Sequence, residues 1–325
     1  MSYKICILGN TGNNPFNDYS WFVRTTAQGM YLNGYDVIGY DYKSHTIDQI
    51  NDFLFESDVK FIFTHLTFHD NSHDKYDIME IFDNLKNLKD VKIIHTLSDA
   101  REEPRYKGDI SYAFDMALIS TYYNVDKFQK YWKIPVYYWP YSSLTYDKMG
   151  TYRKELDFKK PVFPGNPYSH ADRSDFLRKL QRKLNLKIIK TKSEDDIRNK
   201  TLDFSASSPC VLCLSTRYEM NNGFSDVRPY QYGGAGAIIL GRPHDIQKYI
   251  IPEEMWFPFY DYNDIKAVEE QWKKINKLST NEKNKIKENI FNFIQKYHSS
   301  KVRMAQTIEL IEGKRNKLNI FLNEI

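Results

Sequence analysis

The sequence predicts an α/β protein of two doubly wound domains, each a parallel β-sheet covered by helices. Short apolar runs alternate with longer, helix-periodic polar segments along both halves of the chain. The chain has 325 residues, more than one ordinary α/β domain needs, and its 41% hydrophobic residues suffice for two cores. We therefore expect one domain over residues 1–155, a second over 156–300, and a C-terminal helix over 301–325.

The first half has the alternation of strands and helices that gives a parallel sheet. β-branched and aromatic residues dominate its short runs, as in buried strands, whereas the segments between them have helical length and spacing. Residues 142–160 lack clear periodicity and predict a linker. The predicted strands are residues 4–8, 36–41, 60–64, 91–96, 116–120 and 135–139, and the predicted helices are 19–34, 47–56, 76–88 and 125–132.

The second half repeats this pattern and then becomes helical. Beyond residue 261 the chain is rich in Lys and Glu and nearly free of Gly and Pro, which favours helices. Ligands of open parallel sheets bind beyond the carboxyl ends of the strands, so the loops that follow the strands are the candidate site. The predicted strands are residues 161–163, 186–190, 209–214 and 237–240, with helices over 171–184 and near Asp226.

Composition bounds the class of protein. The 46 Lys and Arg exceed the 42 Asp and Glu by a net charge of +4, which permits a polyanionic partner without requiring one. Cys210 and Cys213 lie in an apolar run and are expected to be reduced core residues, not zinc ligands or a disulfide. The N-terminus enters a strand at once, and no apolar stretch is long enough to span a bilayer. We therefore expect a soluble, cytoplasmic monomer that does not bind membranes.

The loop after the first strand is rich in small residues. Gly9, Asn10, Gly12 and Asn13 precede a predicted helix, and such residues let backbone N–H groups approach a substrate closely. The spacing is not a dinucleotide fingerprint and predicts no nicotinamide cofactor. A tight turn without a ligand explains the same residues equally well.

A carboxylate follows the fourth strand. Asp99 stands three residues beyond its end and is placed to act as a general base toward a hydroxyl, which needs a carboxylate or imidazole within hydrogen-bond reach. The alternative is that Asp99 caps the next turn, as Asp often does after Ser.

Two segments of the second half predict an anion-binding site. Gly165 and Asn166 leave its first strand shortly before Arg173 at a helix start, where free N–H groups and a guanidinium suit a diphosphate. In the second segment, Arg228 and Gln231 are three residues apart and share a face if the segment is α-helical. A solvated arginine and tight packing at the nearby glycines are the alternatives. Phe224 and Asp226 complete the predicted donor-binding residues.

Taken together, these segments resemble the T-even phage DNA β-glucosyltransferases, GT-B enzymes that move glucose from UDP-glucose to 5-hydroxymethylcytosine in DNA. The resemblance runs in order through most of the chain. It rests on the loop of Gly9, the Ser-Asp-Ala-Arg segment of Asp99, the Gly165 turn with Arg173, and residues 221–231. These motifs are short, and related patterns occur in CgeB-like and other group 1 glycosyltransferases.

The resemblance implies roles for these residues. Asp99 becomes the base that takes the proton of the acceptor hydroxyl in an inverting displacement, while Arg173 and Arg228 bind the diphosphate of a nucleotide-sugar. Gln231 stands where the family has a Glu that binds ribose, and Asp18 is the nearest match to an acidic residue of the family near its first helix. The resemblance also implies that the C-terminal helix packs back on the first domain.

The expected acceptor is a 5-hydroxymethylated pyrimidine in DNA. The loop after Asp99 offers cations and aromatic rings for phosphate contact and stacking, although its acidic residues fit an ordinary surface loop as well. A surface polysaccharide or small-molecule acceptor, and a non-catalytic nucleotide-sugar or DNA-binding module, are the alternatives. The acceptor-binding candidates are Asp18, Arg101, Arg105 and Lys107.

No cofactor is expected beyond the nucleotide-sugar donor, for which a UDP-sugar is the first choice. His65, His69 and His73 recur at helical spacing, which would suit a metal on a helix. We expect no metal site there, because His65 ends a strand and the residues after it are turn-like. A requirement for a divalent metal elsewhere stays open.

Overall fold

The chain forms two compact units in the computed structural model. Unit 1 comprises Met1–Pro140 and Ser300–Asn319, and unit 2 comprises Tyr141–Ser299 and Ile320–Ile325. The structure describes residues 4–9, 14–17, 20–41, 46–56, 59–65, 83, 86–88, 90–97, 111–154, 159–165, 171–189, 201–216, 221–224, 226–243, 246–261 and 264–325.

The break between the units falls after Pro140, earlier than the boundary that the sequence predicts after residue 155. The reason is that the start of the predicted linker is part of the core of unit 2. Ser143 and Leu144 are buried, and Gln295 donates from Nε2 to Ser143 Oγ at 3.1 Å and to the Leu144 carbonyl at 2.9 Å. Missing periodicity therefore indicated irregular backbone here and not solvent exposure.

Unit 1 contains a six-stranded, fully parallel sheet in the order β2-β1-β3-β4-β5-β6, which confirms the predicted class. The middle strands are buried on both faces, as expected for a sheet covered by helices. The strands are β1 (Lys4–Gly9), β2 (Asp36–Asp41), β3 (Val59–His65), β4 (Lys92–Leu97), β5 (Met116–Ile119) and β6 (Val136–Tyr138).

Among the described residues of unit 1, three helices follow strands, and a fourth comes from the end of the chain. They are α1 (Trp21–Leu32), α2 (Ile47–Glu56), α3 (Val125–Trp132) and, after unit 2, α8 (Ser300–Ile311), with 3-10 turns at Pro15–Asn17, Ser111–Ala113 and Tyr122–Asn124. The bounds of α2 and α3 match the prediction. Most of the predicted helix 76–88 lies outside the described residues.

The last helix of unit 1 packs closely on the first. A Cβ added at Gly29 in α1 would lie 2.4 Å from the Ser300 carbonyl oxygen and from the Met304 side chain in α8. Only a residue without a side chain allows this approach. Asn33, which follows α1, adds a hydrogen bond from Nδ2 to the Lys301 carbonyl at 3.0 Å.

Unit 2 contains a five-stranded parallel sheet in the order β11-β10-β9-β7-β8. The strands are β7 (Val162–Pro164), β8 (Lys187–Ile189), β9 (Val211–Cys213), β10 (Ile239–Gly241) and β11 (Trp256–Pro258). The helices are α4 (Ala171–Leu184), α5 (Thr201–Ser207), α6 (Ile265–Lys277) and α7 (Thr280–His298), with a π-helical segment at Pro229–Gly233 and 3-10 turns at Gln247–Tyr249 and Glu253–Met255.

The start of α7, among the described helix starts of unit 2, has a complete capping box. The Ser279 side chain accepts from the backbone N–H of Glu282 at 3.3 Å, and the Glu282 carboxylate accepts from the Ser279 backbone N–H at 2.7 Å. Both groups satisfy N–H donors that the first turn of α7 leaves open.

The cysteines are buried free thiols, as the sequence predicts. Burial raises the pKa of Cys6 to about 12, because a thiolate would lose its hydration in the core. The same effect raises the pKa of Cys210 and Cys213. Among the described helices, none combines the length and apolar character that crossing a bilayer requires.

Candidate functional site

Two arginines of unit 2 converge on one aromatic ring. Phe163 lies in β7 and is fully buried. The guanidinium carbon of Arg228 is 4.8 Å from the centroid of its ring, and that of Arg173 is 5.6 Å away. Both distances are those of cation–π contacts. The structure therefore brings together two predicted anion-binding residues that are 55 positions apart in the sequence.

Arg228 is fixed by hydrogen bonds on both sides of its guanidinium. Its Nε donates to the Pro164 carbonyl at 3.0 Å, and its Nη1 donates to Asp226 Oδ1 at 3.0 Å. The same carboxylate oxygen accepts from the Arg228 backbone N–H at 3.0 Å. The guanidinium is thus held in one orientation at the carboxyl end of β7.

Gly165 follows β7 and makes room for Arg228. Its φ is +150°, and a Cβ built at this position would lie 2.7 Å from Arg228 Nη2. A side chain here would collide with the guanidinium. The turn glycine that the sequence singled out is therefore required by a close approach, and not only by the turn.

Asp226 is the least expected member of this cluster. Its side chain is buried, and its Oδ2 has no hydrogen-bond partner among the described residues. The sequence assigns it to donor binding without a specific role, whereas the structure shows it orienting Arg228. A buried carboxylate normally needs a paired cation, and Arg228 provides that cation here.

Arg173 reaches the cluster from the start of α4, where it is the third helical residue. It is buried, with 5% of its surface exposed. A helix start carries partial positive charge, so Arg173 adds a full cation where an anion is already favoured. Arg173 is therefore not a solvated surface arginine, which was the alternative that the sequence allowed.

Phe224 and Gln231 are both buried in unit 2. Phe224 packs edge-on against Tyr141, with ring centroids 5.7 Å apart. Gln231 lies in the π-helical segment that begins directly after Arg228. The expected common face of Arg228 and Gln231 assumed α-helical geometry, which the i to i+5 hydrogen bonding of a π-helix does not have. Such segments occur often at functional sites.

Many of the other predicted site residues lie outside the described residues. Gly9 is described as the last residue of β1, where it pairs with Asp41 on one side and His65 on the other. Its neighbours in the loop are not. The predicted site residues outside the described part are Asn10, Gly12, Asn13, Asp18, Asp99, Arg101, Arg105, Lys107 and Asn166.

The carboxyl edge of the unit 1 sheet holds buried polar side chains that sequence reasoning did not combine. Thr64 and His65 end β3, and His95 and Thr96 lie opposite them in β4. His95 Nδ1 lies 2.9 Å from Thr64 Oγ1, and His65 Nδ1 lies 3.4 Å from Thr96 Oγ1. The sequence did contain a signal for this cluster: Thr64-His65 and His95-Thr96, the same two residue types in opposite order, stand at the ends of two successive predicted strands.

Each of these histidines contacts at least one aromatic ring. His95 stacks on Phe114 at 4.6 Å and meets Trp132 edge-on at 5.7 Å, whereas His65 stacks on Phe22 at 5.1 Å. Burial lowers the pKa of His65 to about 4, so its imidazole is neutral at pH 7. No group of three metal-ligating side chains occurs within the described ranges.

The fold of both units is that of the GT-B glycosyltransferases: two doubly wound domains with parallel sheets. An α-glucosyltransferase solved with UDP and a DNA 13-mer containing an HMU base is 11% identical, with a TM-score of 0.59 over 96% of this chain and 100% of that one. A glycosyltransferase from Rickettsia africae ESF-5 is 9% identical, with a TM-score of 0.57 over 96% and 98%.

A third solved structure, the α,α-trehalose 6-phosphate synthase of Burkholderia multivorans, is 9% identical, with a TM-score of 0.54 over 97% of this chain and 99% of that one. No protein-family profile and no curated protein matches the sequence at a significant level. At these identities the similarity establishes the fold alone.

Proposed function

We propose that the chain is a glycosyltransferase that uses a nucleotide-diphosphate sugar, and that unit 2 binds the diphosphate. The observation that carries this proposal is the pair of guanidinium groups, Arg173 and Arg228, around Phe163 at the carboxyl end of β7. Two fixed cations, a helix start and a glycine turn suit a diphosphate better than a single phosphate or a neutral ligand. The GT-B fold supports the same function.

The donor is a UDP-sugar in this proposal. Support comes from the α-glucosyltransferase of the same fold that was solved with UDP. A thermal-shift screen with UDP, GDP, UDP-glucose and UDP-N-acetylglucosamine tests it, because a ligand that binds only the folded state raises Tm. We expect the UDP compounds to stabilise the wild-type protein and not Arg228→Ala. If UDP compounds stabilise the wild type and Arg228→Ala equally, the proposed diphosphate site is refuted. If no nucleotide raises the Tm of the wild type, the proposed function is refuted.

The acceptor is the hydroxyl of a 5-hydroxymethylated pyrimidine in DNA. This rests on the segments that resemble phage DNA glucosyltransferases and on the α-glucosyltransferase solved with DNA containing an HMU base. Transfer of labelled glucose to a hydroxymethylated oligonucleotide, but not to the plain one, is expected. DNA binding should weaken steeply with added salt, since phosphate contacts release counterions. Transfer to a glycan with no salt dependence would favour the polysaccharide alternative.

The chemistry proposed is displacement at the anomeric carbon. Asp99 takes the proton of the acceptor hydroxyl, and the two arginines stabilise the charge that develops on the departing nucleoside diphosphate. Asp99→Asn should lower kcat by two to four powers of ten, roughly the contribution of a general base, with little change in Tm. Near-normal turnover in this variant would remove Asp99 from the mechanism. The anomeric configuration of the product, read by NMR, tests the predicted inversion.

A further inference from the structure

Three side chains of unit 1 form a hydrogen-bonded row at the carboxyl edge of its sheet. Ser20 Oγ lies 3.3 Å from His65 Nε2, and His65 Nδ1 lies 3.4 Å from Thr96 Oγ1. The row ends on the backbone, where Thr96 Oγ1 donates to the Thr64 carbonyl at 2.7 Å. Ligands of parallel sheets bind at this edge, so the half-buried end of the row, Ser20, points to a binding role.

The direction of each hydrogen bond follows from the backbone end of the row. A carbonyl oxygen only accepts, so the hydroxyl hydrogen of Thr96 is used on Thr64. Thr96 Oγ1 must then accept from His65, which places the imidazole hydrogen on Nδ1. A neutral imidazole carries one hydrogen, so Nε2 accepts from the Ser20 hydroxyl.

The environment of His65 keeps this tautomer. The ring is 9% exposed and stacks on Phe22 with centroids 5.1 Å apart. Burial keeps the pKa of His65 near 4, so the second proton is absent at neutral pH. His65 therefore acts as a neutral group with a fixed donor side and a fixed acceptor side.

Ser20 has the position of a helix cap but does not act as one. It immediately precedes α1, yet its side chain makes no capping hydrogen bond, and its hydroxyl is directed at His65 instead. Ser279 shows the ordinary alternative, since its side chain accepts from the first turn of α7. Ser20 is only half-buried, so a ligand can reach it.

We propose that Ser20 binds the acceptor, its Oγ receiving a hydrogen bond from a donor group of the acceptor next to the hydroxyl that is to be glycosylated, with His65 and Thr96 as positioning residues. This inference rests on the proposed transferase function. A hydroxyl whose hydrogen is held by His65 meets a further group only as a hydrogen-bond acceptor. The site is therefore selective for a ligand that presents a hydrogen-bond donor, N–H or O–H, at this point.

Steady-state kinetics of Ser20→Ala with the hydroxymethylated oligonucleotide test the proposal. We expect KM for the oligonucleotide to rise about 3- to 10-fold, the usual effect of one neutral hydrogen bond, with KM for the donor and Tm unchanged. Ser20→Thr, which keeps a hydroxyl, should restore most of the affinity. Ser279→Ala is the matched control: it removes a real cap, so it should lower Tm and leave the oligonucleotide KM as it is.

The tautomer of His65 provides a readout that does not depend on activity. Long-range ¹⁵N NMR of histidine-labelled wild-type protein should show the hydrogen on Nδ1, and Ser20→Ala should shift the Nε2 resonance. Hydrogen on Nε2 would overturn the proposal. If the wild type is active and Ser20→Ala has the same KM for the oligonucleotide, the role of Ser20 is refuted while the proposed function stands. A wild type that transfers sugar to no hydroxyl would refute the proposed function, and this inference with it.

Discussion

Gly165 leaves open the space that the Arg228 guanidinium fills: a Cβ at residue 165 would lie 2.7 Å from Arg228 Nη2. The guanidinium in turn donates to the Pro164 carbonyl, one residue earlier in the same turn. The turn and the arginine thus determine each other's positions. A binding group placed in this way needs no rearrangement when its ligand arrives, which lowers the entropic cost of binding.

Gly165→Ala should weaken UDP binding by moving Arg228, and it should also strain the backbone by about 1 kcal/mol or more. Gly34→Ala is the matched control, because Gly34 also has a positive φ, +88°, but no atom lies within 4 Å of the position that its methyl group would take. Isothermal titration with UDP and thermal unfolding separate the two effects. If both variants bind UDP like the wild type, Arg228 does not depend on the space at residue 165.

Arg228→Lys should reduce UDP affinity about 10-fold while keeping the charge. A lysine cannot donate to Pro164, Asp226 and a diphosphate at once from a fixed planar group. Arg153→Lys serves as the control, since Arg153 pairs with Asp203 at 3.0 Å on a half-exposed surface of the same unit. Titration calorimetry should show the loss only for Arg228→Lys. Equal affinities for the two variants would show that binding does not need the fixed planar guanidinium of Arg228.

His65 should make the protein less stable in mild acid. Its pKa is about 4 in the folded chain, because of burial, and about 6.5 when unfolded. Between these values the unfolded chain takes up a proton that the folded chain refuses, so stability falls as the pH falls. From pH 7 to 5 the loss is about 2 kcal/mol. Urea unfolding should show a flatter pH profile for His65→Gln; parallel profiles would contradict the assignment.

Lys287 should make stability depend on pH in the same direction, but in the alkaline range. It donates to the carbonyls of Ala206 at 2.7 Å and Ser208 at 3.1 Å, and burial lowers its pKa to about 8. Above that pH the folded chain loses a proton that the unfolded chain keeps until about pH 10.5. This group therefore adds stability as the pH rises, by about 2 kcal/mol from pH 7.5 to 9.5.

The comparison for Lys287 is with Lys287→Met. The buried thiols, such as Cys6, whose pKa burial raises, lower the stability of both proteins above pH 9 because only the unfolded chain ionises them readily. The difference between the two proteins then reports the titration of Lys287 together with its coupling to Cys210. Urea unfolding at pH 7.5 and 9.5 should move this difference in favour of the wild type; a constant difference would show that Lys287 does not titrate in this range.

The regular elements were predictable where the sequence has one strong period. The helices Ile47–Glu56, Val125–Trp132 and Ala171–Leu184 have the predicted bounds, because each presents a single apolar face between clear breaks. The strand Trp256–Pro258 and the helix Thr201–Ser207 were missed. The first is three residues long and contains Pro, and the second contains few strong helix formers. Contacts within unit 2 decide both.

The candidate site was predictable by residue type but not by partner. Gly165, Arg173 and Arg228 stand out as a glycine turn and cations near helix starts. Sequence spacing does not reveal that both arginines contact the ring of Phe163, or that Asp226 orients one of them. Those relationships depend on the pairing of β7 with its neighbours and on a π-helical turn. Neither leaves a periodic pattern.

The close packing of α8 on α1 has a consequence for how the protein is made. Gly29 admits Ser300 and Met304 to close contact with α1, and both come from the part of unit 1 that follows unit 2 in the chain. A nascent chain has to emerge from the ribosome through residue 311 before α1 has this packing partner. Until then residues 141–299 of unit 2 are being synthesised while unit 1 lacks its last helix. That interval is when a chaperone that binds nascent chains would be most useful to this protein.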